Sequence, residues 1–284
     1  MPLRHRSRTP SKPDPEPVPT TSSVPAEIPE EQETLFRQVL TLLQDNRIPL
    51  AVAGAFALRQ HTGICRFTKD LDLFMTAENS RRALDCLCQA GFECAVPDPV
   101  WLAKAHKDDF FVDLITGMSN GVINVEDSWV DRSRPAVVHG IETRVLAPEE
   151  LVASKLFVAK RERFDGADIA HIIYGTNGDF DWNRVLQLAG EHWELLLWNL
   201  MLFRYVYPAQ THYVPDQVWD ALLSRFQTAL SDGNSDGSFR GSLLDENMFA
   251  IDVNEWRLPN LFEECRGRRL AQIQQIAKPC ESGK

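Results

Sequence analysis

The stretch Asp70-Leu71-Asp72-Leu73-Phe74 limits what this chain can fold into more than any other. Acidic and apolar residues alternate with a period of two, the period of a β-strand. Both carboxylates therefore project from one face and both leucines from the other. The leucines need a core to cover them. The carboxylates repel one another unless a cation lies between them, and hard divalent ions such as Mg²⁺ prefer oxygen ligands of this kind. One short strand thus asks for a hydrophobic layer on one side and a cation site on the other. The residues ahead of it agree. Residues 48–53, Ile-Pro-Leu-Ala-Val-Ala, read as a short buried strand, and Gly54-Ala55 as a small-residue turn that permits close backbone approach to a ligand. Phe56-Ala57-Leu58 opens a helix that Thr62-Gly63 ends, and residues 66–69 lead into the acidic strand.

A second acidic strand follows at residues 109–116, where Asp113 lies between Val112 and Leu114 among aromatic and β-branched neighbours. A carboxylate in the middle of such a strand is costly unless something pairs with it. Either Asp113 faces water from an edge strand, or its strand lies beside residues 70–74 and it completes a three-carboxylate cluster. Asp70 and Asp72 upstream favour the cluster.

Helical periodicity fills much of the remainder. Residues 32–46 place Leu35, Val39, Leu42 and Leu43 on one stripe, and residues 77–90 turn Ala83, Leu84 and Leu87 inward before Gly91. Phe92 to Val96 reads as extended, with a turn at Pro97-Asp98-Pro99. A helix over residues 148–160 starts on Pro148 with Glu149 and Glu150 at its positive end. Lys155 sits among apolar neighbours there, which predicts burial beside a phosphate or a carboxylate. Asp168 and His171 are spaced to share a helical face as a hydrogen-bonded pair. Residues 182–230 read as helix after helix, with Trp182, Trp193, Trp198 and Trp219 as core fillers and residues 195–203 apolar nearly all round. Asp232, Asn234 and Asp236 have the spacing of a calcium loop but lack the closing acid, since residue 243 is Leu. Phe239-Arg240-Gly241-Ser242 either meets an acceptor or only turns the chain, and residues 265–284 read as a basic helix that frays.

Composition removes several classes. A net charge of −10 over 284 residues offers nucleic acid no global basic field. No stretch is long and apolar enough to span a membrane, and no secretory leader is evident. None of the six cysteines forms a C-x-x-C pair, which argues against a zinc knuckle and for reduced thiols in a cytoplasmic protein.

Gly54-Ala55, Asp70-Leu71-Asp72 and Asp113, in this order, resemble the DNA polymerase beta-like nucleotidyltransferase superfamily, in which a small-residue turn, a helix, a D-x-D strand and a later aspartate form the site. Within it the chain is most similar to bacterial AbiEii-type toxins and related uncharacterised nucleotidyltransferases. That likeness runs on through Ala147-Pro148-Glu149-Glu150-Leu151 to Lys155 and the 161–171 segment, covering residues 45–175. The resemblance implies an α/β fold: a mixed-sheet catalytic domain over residues 31–146, then a mainly helical domain over residues 147–284. It implies an enzyme that moves NMP from an NTP, ATP among them, to an acceptor hydroxyl on tRNA, a small molecule or a protein, releasing pyrophosphate. Asp70, Asp72 and Asp113 would be catalytic and hold two Mg²⁺ ions. Gly54, Ala55, Lys69 and Lys155 would bind the nucleotide. A non-catalytic nucleotide-binding or interaction protein that kept the fold is the alternative. Relatives usually carry Gly-Gly or Gly-Ser where this chain has Gly54-Ala55. Without that hydroxyl, phosphate binding there falls to backbone N–H groups at the helix start.

Residues 1–30 differ from the rest, with eight prolines, Pro2 to Pro29, separated by Ser, Thr and charged residues. Too few apolar groups are present to offset the entropy of ordering them. Deleting them is expected to leave the melting temperature unchanged; a drop of several degrees in a thermal melt would show that they dock on the domain.

Overall fold

The computed structural model describes residues 29–231 and 237–277. Most of the proline-rich stretch, the Asp232–Asp236 spacing, Cys280 and the frayed end predicted for the last helix lie outside the described residues.

The chain opens with α1 (Glu30–Asp45), whose Leu35, Phe36, Val39, Leu40 and Leu43 are buried along one stripe. Two residues of strand, β1 (Ala51–Val52), lead to α2 (Gly54–Thr62), and β2 (Asp70–Phe74) returns antiparallel to β1. Next come α3 (Ala77–Gln89), capped by the Thr76 hydroxyl, and the meander β3 (Glu93–Asp98), β4 (Leu102–Lys107) and β5 (Phe110–Ile115). A short α4 (Asp127–Arg132) precedes the hairpin β6 (Arg134–Val138) and β7 (Ile141–Val145). The seven strands make one mixed sheet in the order β3-β4-β5-β2-β1-β7-β6, with β2–β5 and β1–β7 parallel. The acidic strand is therefore central, and its leucines, both fully buried, face the core that α1 helps to cover.

Beyond Val145 the named elements are helical: α5 (Pro148–Ala153), α6 (Gly166–Gly175), α7 (Trp182–Ala189), α8 (Trp193–Val206), α9 (Asp216–Ser231), α10 (Gly241–Leu244), α11 (Ala250–Asn254) and α12 (Leu261–Ala277). One buried apolar cluster runs without a break from the sheet into these helices, from Leu73 and Leu114 through Leu151 and Ile169 to Leu196 and Phe203. A buried ionic knot adds to the joint. Glu150 takes Arg184 Nε at 2.9 Å, and Glu149 accepts the backbone N–H of Asp181 at 2.7 Å.

Four expectations change. The helix starting at Pro148 ends at Ala153 instead of running to residue 160, because the next turn folds back through Val158 N–H to Lys155 C=O and an isolated bridge pairs Ala159 with Phe164. Trp198 and Met201 stand on the solvent side of α8, while Trp182 and Trp193 are buried as expected. Cys88 and Cys94 form a disulfide between the end of α3 and β3, which replaces the expected free thiols at those two positions. Asp168 and His171 do not pair, since the carboxylate of Asp168 is taken by Lys155 and Arg66.

Candidate active site

Parallel pairing of β2 and β5 puts Asp72 directly opposite Asp113. Two residues earlier on the same face of β2 is Asp70, and all three carboxylates line one cavity of about 450 Å³. The second acidic strand thus lies beside the first, as the cluster reading required. The approach to Asp70 is pinned from behind. Gln32 of α1 donates to the Thr68 carbonyl at 2.6 Å, and the Thr68 hydroxyl accepts from the Asp70 N–H at 3.2 Å.

Gly54 opens α2 at φ 54°, and a Cβ added to it would fall on the Asp72 carboxylate. A side chain is excluded there both by sterics and by the left-handed backbone. The N–H groups of the first turn of α2 have no intrahelical acceptors by helix geometry, so the start of this nine-residue helix brings free donors beside a carboxylate. Gly54 lines the cavity, whereas Ala55 and Lys69 do not.

The charges in the cavity are unevenly matched. Asp113 is held at both oxygens by Lys104 Nζ, at 2.7 and 2.9 Å, from the register-paired position on β4. Asp165 is held by Lys155 at 2.9 Å and by a two-pronged contact from Arg163 at 3.0 Å. Asp70 and Asp72 enter none of the ion pairs among the described residues, whereas Lys104, Lys155 and Arg163 pair with Asp113, Asp165 and Asp168. The consequence falls on Asp72. Burial first, then the charges of Asp113 and Asp70, push its pKa up to about 6. Burial also raises Asp113, against the pull of Lys104.

This donor set fits a divalent cation as an open site. Among the described residues no three His, Cys, Asp or Glu side chains close into a finished metal cage, and Asp113 is already committed to Lys104. Asp70 and Asp72 are oxygen donors on one strand face with no counter-cation, which suits a hard ion that keeps waters or phosphate oxygens as its other ligands.

Lys155 is buried, as its neighbours predicted, and reaches two carboxylates: Asp165 at 2.9 Å and Asp168 at 2.8 Å. It also lines the cavity, with Lys160 and Arg163. Lys104 carried no signal in the sequence, because its role depends on a hairpin register. The far wall was equally hidden. Trp101, Met118, Phe157, Leu243, Leu244 and Phe262 converge on it from five separate segments.

The family model of an uncharacterised nucleotidyltransferase matches residues 30–204. No curated protein shows a significant sequence match. Among solved structures, the antibiotic-resistance factor ANT(2'')-Ia is 15% identical, with 64% of this chain and 96% of that chain covered and a TM-score of 0.39. An antigenic nucleotidyltransferase-like protein from Paracoccidioides brasiliensis is 18% identical, with 64% and 93% covered and a TM-score of 0.40. JHP933 from Helicobacter pylori is 15% identical, with 87% and 93% covered and a TM-score of 0.33.

Two outcomes follow from this geometry. Asp72 has a folded pKa above its unfolded value, so the folded state holds its proton more tightly and stability is lost as pH rises through the interval from about 4 to about 6. Without divalent ions, Asp72→Asn is expected to match wild type near pH 4 and exceed it by ~1–3 kcal/mol above pH 7 in urea melts; a constant offset at all pH values would contradict the charge argument. Lys155→Met removes the buried partner that Asp165 and Asp168 share, leaving them to Arg163 and Arg66, and is expected to cost ~1.5–3 kcal/mol in the same melts, whereas an unchanged melting temperature would show that the Lys155 ion pairs are dispensable.

Proposed function

Because the chain belongs to the uncharacterised nucleotidyltransferase family, we propose that it transfers NMP from an NTP to a hydroxyl on a small-molecule acceptor, with Mg²⁺ held at Asp70 and Asp72. The observation that carries this reading is the pair of carboxylates outside every ion pair among the described residues, in a cavity that Lys155, Lys160 and Arg163 also line. Phosphates, with a cation, are the ligands that match both sets of charges. When bound, the metal neutralises phosphate charge and stabilises the attacking and leaving oxygens.

The chain's own groups do the rest. Gly54 leaves room for phosphate oxygens to approach the first-turn N–H groups of α2. Lys160 and Arg163 place positive charge along the polyphosphate. The acceptor oxygen attacks the α-phosphorus, the bond to the bridging oxygen breaks, and pyrophosphate leaves. Asp113 takes the acceptor's proton, with Lys104 fixing its carboxylate in place. In this reading Gly54, Asp70 and Asp72 take the roles expected of them and Lys155 adds charge at the nucleotide, while Asp113, held by Lys104, acts as the base and not as a metal ligand. Ala55 and Lys69, outside the cavity lining, are peripheral.

Two features favour a small acceptor over tRNA or a protein. A cavity of about 450 Å³ with a wall of Trp101, Met118, Phe157 and Phe262 has the size and apolar lining of a small-molecule site. The net charge of −10 opposes a large nucleic-acid footprint. Transfer to a cellular macromolecule, as in an AbiEii-type toxin, would need a more open approach.

The test supplies each labelled NTP, ATP first, with Mg²⁺ and a small-molecule extract, and follows pyrophosphate release. Wild type is expected to release it only with Mg²⁺, and Asp70→Asn, Asp72→Asn and Asp113→Asn to lose at least ~10³-fold in rate, as the removal of central charge stabilisation does elsewhere. Nucleotide binding without pyrophosphate release from any NTP would leave a binding protein on a nucleotidyltransferase fold.

A further inference from the structure

On the other side of Leu243 from the catalytic cavity lies a second one, of about 630 Å³, between the loop around Gly121 and Asn124, the segment entering α10, and α12. Among the described residues its lining includes Arg240, Arg268, Arg269, Ser238, Gln272 and one acidic side chain, Glu191. Three guanidinium groups gathered in one recess of a chain with a net charge of −10 are not accounted for by the proposed reaction.

Arg269 is the telling member. It is 7% exposed, makes one hydrogen bond, from Nη2 to the Thr116 carbonyl at 3.3 Å, and has no acceptor at Nε among the described residues. It enters none of the ion pairs among the described residues; its neighbour Arg266 pairs with Asp98, and Arg240 reaches Glu191 and Glu194 at 3.8 and 3.6 Å. A buried lysine can escape such a position by losing its proton, but an arginine cannot. Its charge must be matched from outside its own bonds or be carried uncompensated, which burial makes costly. Burial pulls its pKa down. Arg268 stands one residue away on the same helix, exposed, with Nη2 resting on Cys265 Sγ at 3.0 Å and no carboxylate partner among the described residues.

We propose that this recess is a binding site for a phosphate-type oxyanion, held by Arg269 and Arg268 with Arg240 at its rim. Guanidinium forks match tetrahedral oxyanions in geometry as well as charge. The hydroxyl of Ser238 and the amide of Gln272 supply neutral donors of the kind that complete such a shell. This site is separate from the acidic one. It stands whether or not the chain transfers nucleotides, because none of its arginines touches Asp70, Asp72 or Asp113.

Calorimetric titration of the full-length protein with inorganic phosphate, in EDTA and without divalent ions, tests this. Wild type is expected to bind one phosphate per chain, Arg269→Met to bind at least tenfold more weakly, and Arg268→Met, at an exposed position that leaves the fold intact, several-fold more weakly. Lys160→Met, which removes a cation from the catalytic cavity, is expected to bind as wild type does. A parallel titration with pyrophosphate separates the sources: tighter binding lost with the same arginines marks a diphosphate group, and equal or weaker binding marks a monophosphate. The proposal is overturned if folded wild-type protein binds neither ion, if Arg268→Met binds both unchanged, or if Lys160→Met abolishes binding.

Discussion

Parallel pairing of β2 with β5 sets Asp72 against Asp113, and much of the structure around them answers that repulsion. Two carboxylates opposed across adjacent central strands would destabilise the sheet if both were charged and unmatched. The protein resolves this unequally. Lys104, delivered by the next strand in register, neutralises Asp113. Asp72 is held in no ion pair among the described residues, and burial, with the charges of Asp113 and Asp70, moves its pKa up to about 6 against the weaker pull of Lys155 and Arg163. Leaving one of two neighbouring carboxylates unmatched is what an open cation site needs, and it makes the resting protein less stable than it could be.

The cations that the helical part brings to the cavity form a second layer with the same logic. Lys155 is fixed by Asp165 and Asp168, Asp165 also by Arg163, and Asp168 also by Arg66 from the loop ahead of β2. This chain of charges ties the loop that delivers Asp70 to the turn after α5 and the start of α6. With the Gln32–Thr68–Asp70 hydrogen bonds it fixes the acidic strand from both sides. The position of the catalytic face relative to the helices is therefore set by polar contacts on the site side and by the Leu73–Leu114–Leu151 core on the other.

Features decided by local periodicity were legible in the sequence. The alternation at residues 70–74 gave a strand with one acidic face, the small residues at 54–55 gave a turn opening a helix, and Val112-Asp113-Leu114 gave a second strand of the same kind. Features that depend on which strand lies next to which were not. Lys104 sits in Leu-Ala-Lys-Ala-His-Lys, a run with no strong pattern, and only the β4–β5 hairpin register points it at Asp113. Lys155 was legible as a buried lysine, but its partners lie ten and thirteen residues later, across a turn where helical periodicity still fits the sequence. The Cys88–Cys94 pair was hidden similarly, since it joins a helix end to an edge strand through a turn at Gly91.

The cavity is lined from two parts of the chain. Asp70, Asp72, Asp113, Lys155 and Arg163 all lie within the family-matched residues 30–204. Ser242, Leu243, Leu244, Asp245, Glu246 and Phe262, which line the same cavity, lie beyond them. That later segment is anchored to the sheet by a few well-made contacts. Asn120 donates to the Leu243 carbonyl at 3.0 Å, and Arg266 clasps Asp98 and the Ser119 carbonyl. Asp245 is fixed in turn by the N–H groups of Arg161, Asn247 and Met248, which hold its pKa low. The carboxylates are thus built on central strands of the sheet, where small displacements are costly. The segment from 237 to 277 instead joins the cavity through side-chain clasps to one end of the sheet, so its residues can change without disturbing the carboxylates.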